Sequence, residues 1–173
     1  MSRLTKADIL RLFELLDGEL EKESTLGEIY VVGGAVMCLA LDARDSTKDV
    51  DALFKPAKSV RQAAARVAAR ADLATDWLND AVKGFLGDRG EFVPYFERPH
   101  LRVFVAEPRY LLAMKCAAMR IGEEFHDLDD VRYLLRFLNV SSLGRALEIV
   151  GRYFDLDQLP AKSRFALEEL LST

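Results

Sequence analysis

Asp49 and Asp51 stand two residues apart in DVDALF, whose first four positions alternate polar and apolar. In an extended strand residues i and i+2 share a face, so the spacing predicts two carboxylates side by side with Val50 turned inward. Adjacent like charges repel, and a divalent cation relieves the repulsion. Hard carboxylate oxygens in this number suit magnesium, with triphosphate oxygens and water completing the octahedron. Upstream, Gly33 and Gly34 stop the β-branched run IYVV. Two glycines let the backbone approach a phosphate, and a helix starting there directs amide donors and its positive end at an anion. A D-x-D pair alone is also found at solvated strand ends and turns; the glycine turn before it makes it a candidate metal and phosphate site.

Two further residues stand out by helical position. Lys115 in PRYLLAMKCAAMR lies four residues after Leu111 and three after Leu112, on an apolar face. Either its stem packs while the ammonium reaches water, or a carboxylate or phosphate lies beside it. Asp127 falls within the stripe formed by Leu128, Val131, Leu134, Leu135 and Leu138, with Asp130 flanking it and Asp129 pointing away. Asp127 also reads as an N-cap with Asp130 at the third helical position. Glu91, Glu97 and Glu107 are poor candidates for a third metal carboxylate, because they lie at strand ends outside any aspartate-rich motif.

The elements that must position these groups follow from periodicity. Thr5 and Asp8 predict a capping box and a helix from about residue 6 to 22. A buried strand enters Gly33, AVMCLALDA forms a short helix, and DVDALF forms a strand ended by Pro56. Residues 58 to 71 form an Ala- and Arg-rich helix whose Arg61, Arg66 and Arg70 read as a solvated face, and WLNDAVKGFL reads as another helix. Trp77 is expected to anchor packing between lobes. Gly84, Gly87 and Gly90 mark a loop, and EFVPYFE and LRVFVAE predict a strand pair with Pro94 at an edge or bulge. Phe92, Tyr95, Phe96 and Phe104 read as core of that pair rather than as a base-stacking surface. Pro108 opens a helix that Gly122 is placed to end, and three more helices follow at about 127–138, 142–153 and 161–171.

The 173 residues are 50% hydrophobic, enough for one compact domain or two lobes sharing a core. A net charge of −4 argues against a surface that is one basic nucleic-acid footprint. Cys38 and Cys116 read as small buried side chains, and two histidines without paired spacing leave too few ligands for structural zinc. No window has the apolar length of a membrane span, and the N-terminus lacks a signal-peptide core. These readings predict a cytoplasmic protein.

The block VVGGAVMCLALDARDSTKDVDALF, with Arg44, Thr47, Asp49 and Asp51 in R-x-x-T-x-D-V-D order, resembles the polymerase-β-like nucleotidyltransferase superfamily. It is most similar to the compact bacterial branch containing AbiEii-like and MenT-like toxins and related families of unassigned function. The likeness continues through WLNDAVKGF, PRYLLAMKCAAMR and HDLDDVRYLL, which are less specific motifs. It implies an α/β (α+β) fold, with a small mixed sheet flanked by helices in a lobe over residues 1–106 and a helical lobe over 107–173. It implies transfer of a nucleoside monophosphate from a magnesium-bound triphosphate to an acceptor hydroxyl. Asp49 and Asp51 would hold the metal, and Gly33, Gly34, Arg44, Thr47 and Lys115 the nucleotide, with Lys115 and Asp127 reaching across a cleft. In the related toxins an aspartate at the place of Asp127 assists the site, which here means pairing with Lys115 or serving as general base. The acceptor suggested is a tRNA 3′ end, in a toxin whose antitoxin is a separate protein. A small aminoglycoside-type antibiotic nucleotidyltransferase shares the same pattern, as does a module that binds nucleotide without turning it over.

Overall fold

The computed structural model describes residues 3–81, 88–119 and 127–172. The fold is mixed α/β, with seven strands and seven α-helices among the described residues. The chain divides into two compact units, residues 1–84 with 92–106 and residues 85–91 with 107–173.

In the first unit the short strand β1 (Leu4–Thr5) leads directly into α1 (Lys6–Lys22). The Thr5 hydroxyl accepts from the Asp8 N–H at 3.1 Å and the Asp8 carboxylate accepts from the Thr5 N–H at 2.9 Å, the expected capping box. The apolar stripe Ile9, Leu12, Phe13, Leu16 and Leu20 is buried. After β2 (Gly27–Val32) come α2 (Gly34–Leu39), β3 (Ser46–Thr47), β4 (Val50–Lys55) and α3 (Ala57–Ala71). The unit is completed by β5 (Leu78–Asn79), β6 (Phe92–Arg98) and β7 (Leu101–Ala106).

Five strands form one mixed sheet in the order β5-β4-β2-β7-β6, while β1 pairs with β3 separately. Register puts Ile29 opposite Phe54 and beside Val103, and Val31 opposite Ala52 and beside Val105. Strand parity places these buried side chains on one face, over which α1 and α3 pack. Each valine, isoleucine or phenylalanine among them contributes about 1.5–3 kcal/mol by leaving water, and Ala52 less. The layers meet closely at Gly27, where a Cβ would lie 2.7 Å from Leu20 Cδ1. The opposite parity sets Tyr30 across from Leu53 and beside Phe104, the two rings stacked 4.9 Å apart. One step along this second face, Val32 stands opposite Asp51.

The expected strand pair is present as β6 and β7, with a register shift between Pro94 and Phe96 on the edge strand, where a missing N–H is tolerated. The expected helix over WLNDAVKGFL is corrected in its first half. Leu78–Asn79 is a strand parallel to Val50–Asp51, because the Val50 N–H donates to the Trp77 carbonyl at 2.7 Å. The rest of that stretch, from residue 82, lies outside the described residues. Trp77 is buried, its indole N–H donating to the Ala64 carbonyl of α3 at 2.9 Å.

The second unit is helical. In α4 (Pro108–Ala117) proline takes the first helical position and the Glu107 carboxylate caps the Arg109 N–H at 2.9 Å. Its buried Leu111, Leu112 and Ala113 pack against α5 (Asp127–Phe137), α6 (Leu143–Gly151) and α7 (Ala161–Leu171). Gly90 belongs here because a Cβ on it would come within 2.8 Å of the Tyr110 ring. Gly84, Gly87 and the helix-ending Gly122 lie outside the described residues. Among the described residues no helix is long and apolar enough to cross a membrane.

Candidate functional site

The turn after β2 is built from two glycines needed for different reasons. Gly33 has φ +68° and ψ −149°, a region essentially confined to glycine, where other residues carry strain of about 1–3 kcal/mol. Space is not its constraint, since a Cβ there would lie at ordinary contact, 3.5 Å from Asp51 Oδ2. At Gly34 the constraint is space. A Cβ would stand 2.5 Å from Arg44 Nη1 and 3.3 Å from Thr47 Oγ1. The guanidinium and the hydroxyl therefore press on the second glycine while the Asp51 carboxylate lies beside the first.

The loop carrying Arg44 is braced from outside. β1 pairs antiparallel with β3, Leu4 opposite Thr47. Arg3 donates from Nε to Ser46 Oγ at 2.9 Å and from Nη2 to the Ser46 carbonyl at 3.0 Å, and Lys6 Nζ meets Asp42 at 3.3 Å. Thr47 is buried and donates to the Asp49 carbonyl at 3.2 Å, a contact that shapes the turn into β4. Asp51 lies within the strand, whereas Asp49 stands one residue before it; both are half-buried. The short helix expected to aim its dipole at an anion is six residues long. At under two turns it offers little beyond its first amides, and the Val36 N–H already donates to the Gly33 carbonyl at 3.2 Å.

The Asp51 carboxylate, glycine backbone, a guanidinium and a hydroxyl thus meet at one turn of the first unit, with Asp49 two residues before Asp51 in the chain. Among the described residues no group of three or more His, Cys, Asp or Glu is placed to hold a metal ion. The donor set at the turn fits magnesium bound with a polyphosphate, which needs only one or two carboxylates when phosphate oxygens and water complete the shell.

Lys115 and Asp127 come together in the second unit. The ammonium lies 3.2 Å from Asp127 Oδ1 and 2.8 Å from Asp130 Oδ2, with side-chain exposures of 10%, 4% and 4% for the three. This geometry excludes snorkelling into water and realises the carboxylate alternative for Lys115. Asp130 was missed as a partner. Its position three residues after Asp127 was the available signal, because that spacing brings both carboxylates to one side of a helix.

A second buried carboxylate was also missed. Glu19 sits on the apolar face of α1, three residues after Leu16, and receives Arg66 Nε at 3.0 Å, Arg70 Nη1 at 3.1 Å and Lys22 Nζ at 3.2 Å. Burial pushes its carboxyl up, yet the hydrogen bonds from Arg66, Lys22 and Arg70 together outweigh that effect and hold it below the ordinary glutamate range. Arg66 and Arg70 are therefore not a merely solvated face, and Arg61 meets Asp80 at 2.7 Å. His126 lies outside the described residues. Cys38 and Cys116 are buried thiols, and burial pushes Cys116 up to about 12, away from reactivity. No family model, no curated protein and no solved structure matches the chain.

Proposed function

We propose that the first unit binds a magnesium–nucleoside triphosphate at the Gly33–Gly34 turn and transfers its nucleoside monophosphate to an acceptor hydroxyl. The observation that supports this reading is the contact pattern of the two glycines: Asp51 lies beside Gly33, and Arg44 and Thr47 press on Gly34. Bound at Asp49 and Asp51, magnesium would neutralise triphosphate charge. The absence of a side chain at Gly33 lets a phosphate oxygen approach the backbone, and the Arg44 guanidinium packed over Gly34 offers planar, permanently charged donors to it. Thr47 holds the Asp49 carbonyl and so the approach of the first carboxylate. The acceptor oxygen forms a bond to the α-phosphorus, the bond to the bridging oxygen breaks, pyrophosphate leaves and the hydroxyl proton passes to solvent.

The resemblance suggests a tRNA 3′ end as acceptor and a separate antitoxin as partner; an aminoglycoside is the alternative acceptor. The test is to incubate the protein with each labelled triphosphate and magnesium, in the presence of total tRNA or of aminoglycosides. Label on tRNA that disappears with Asp51→Asn supports the toxin-like reading, and label on the drug supports the alternative. Magnesium-dependent triphosphate binding without transfer reduces the protein to a nucleotide-binding module. Absence of binding removes the proposal.

A further inference from the structure

The second unit carries a groove of about 390 Å³ between α5 and α7. Its floor is apolar, formed by Leu128, Leu135, Val140, Ala166 and Leu170. Arg132 and Arg136 stand on the α5 wall and Glu169 on the α7 wall. Arg132 meets Asp129 at 3.2 Å, but among the described residues no ion pair holds Arg136, Glu168 or Glu169. The wall that bears Glu169 also bears Phe165, which is 66% exposed, the highest value among the large apolar side chains described as exposed.

These features form a socket and a plug on one surface. The plug is an α7 segment, Phe165 with Glu168 and Glu169 one turn further along; the socket is an apolar floor edged by arginines. A two-fold interface requires that one patch be complementary to itself, and this patch carries both signs of charge, with a groove beside an exposed aromatic ring. We infer that the groove binds α7 of a second copy of this chain, Phe165 entering the apolar floor and Glu168 and Glu169 facing Arg132 and Arg136 of the other copy. Phe165 is then the anchor, since a large apolar side chain at the centre of an interface carries most of its energy. The arginines fix register and exclude partners lacking acidic residues beside the anchor.

The experiment is sedimentation equilibrium of the full chain over a wide concentration range, on the parent, Phe165→Ser, Arg136→Glu, Glu169→Arg and the Arg136→Glu/Glu169→Arg double variant. All three positions are exposed, so the variants keep the fold, which far-ultraviolet circular dichroism checks. The expected result is a reversible parent dimer, weakened at least about tenfold by Phe165→Ser and by each single charge reversal, and restored in the double variant because the two charges pair across the interface. A parent that stays monomeric throughout overturns the inference. So does a dimer that Phe165→Ser leaves unchanged, or a double variant no better than the singles.

Discussion

Two pairs of aspartates separate the two units of this protein. Asp127 and Asp130 are buried around one lysine, whereas Asp49 and Asp51 are half-buried, Asp51 beside a turn that only glycine can form. Burial makes a carboxylate depend on a cation the protein itself supplies, since the charged form is poorly solvated there. A half-buried carboxylate keeps water and can exchange it for a metal ion. The same residue type is therefore buried against a lysine in a helical unit in one place and left half-buried in another, where the proposed function gives it a metal ion, and the difference lies in depth.

The strongest way to break this comparison is Lys115→Met. Met keeps most of the stem and removes the charge, leaving two buried carboxylates without their ammonium, so the unfolding free energy should fall by about 3 kcal/mol or more. Adding Asp127→Asn should restore more than additivity allows, with recovery incomplete because Asp130 stays charged. Urea denaturation of the single and double variants checks this; a Met variant as stable as the parent would show that the triad does not brace the unit.

Asp51→Asn should do the reverse. Magnesium-dependent triphosphate binding should weaken by about 1.5–3 kcal/mol, the scale of a charge-assisted contact, while stability holds or rises as carboxylate repulsion is relieved. Calorimetric titration alongside a thermal melt reads both, and parental affinity would remove Asp51 from the metal site.

The two glycines sharpen the comparison within the first unit. Gly33→Ala should cost about 1–3 kcal/mol of stability through its backbone angle. Gly34→Ala should cost less stability, because the atom it meets is the end of the flexible Arg44 side chain, but should displace that guanidinium and weaken triphosphate binding. Equal effects of both substitutions on melting and binding would erase the distinction between backbone and space.

The smallest effect is expected at Glu19. Its carboxyl is held below the ordinary value of 4.5, so it contributes stability that is fully present above that value and is lost as pH falls through the lower folded-state value. Glu19→Gln should cost roughly 1–2 kcal/mol near neutrality, since the partner cations are largely exposed and regain water, and should flatten the pH dependence just below 4.5. Melts of parent and variant between pH 3 and 7 measure it, and parallel curves would mean that Glu19 does not drive acid sensitivity.

Helices with whole apolar stripes were legible from the chain alone. α1 carries its capping box and α4 its first-turn proline, and these are local signals that depend on residues a few positions apart. The Gly-Gly turn and the D-x-D pair were legible for the same reason, as was the strand pair around Pro94. Leu78–Asn79 was not, because two residues carry no period and become a strand only when β4 offers an edge beside them. Nor were the arginine partners of Glu19, which lie on α3 and meet it only once α1 and α3 pack together.

What the sequence determined by itself is therefore which of the longer segments are helix or strand and which residue types stand at the candidate turn, since periodicity, caps and glycine conformations act within a few residues. Tertiary structure decided the partners and the depth of the charges: that Lys115 pairs with two aspartates, that Thr47 donates to the Asp49 carbonyl, and that Arg44 presses on Gly34. Charge pairing at close range depends on distances between segments remote in the chain, and only packing sets those distances.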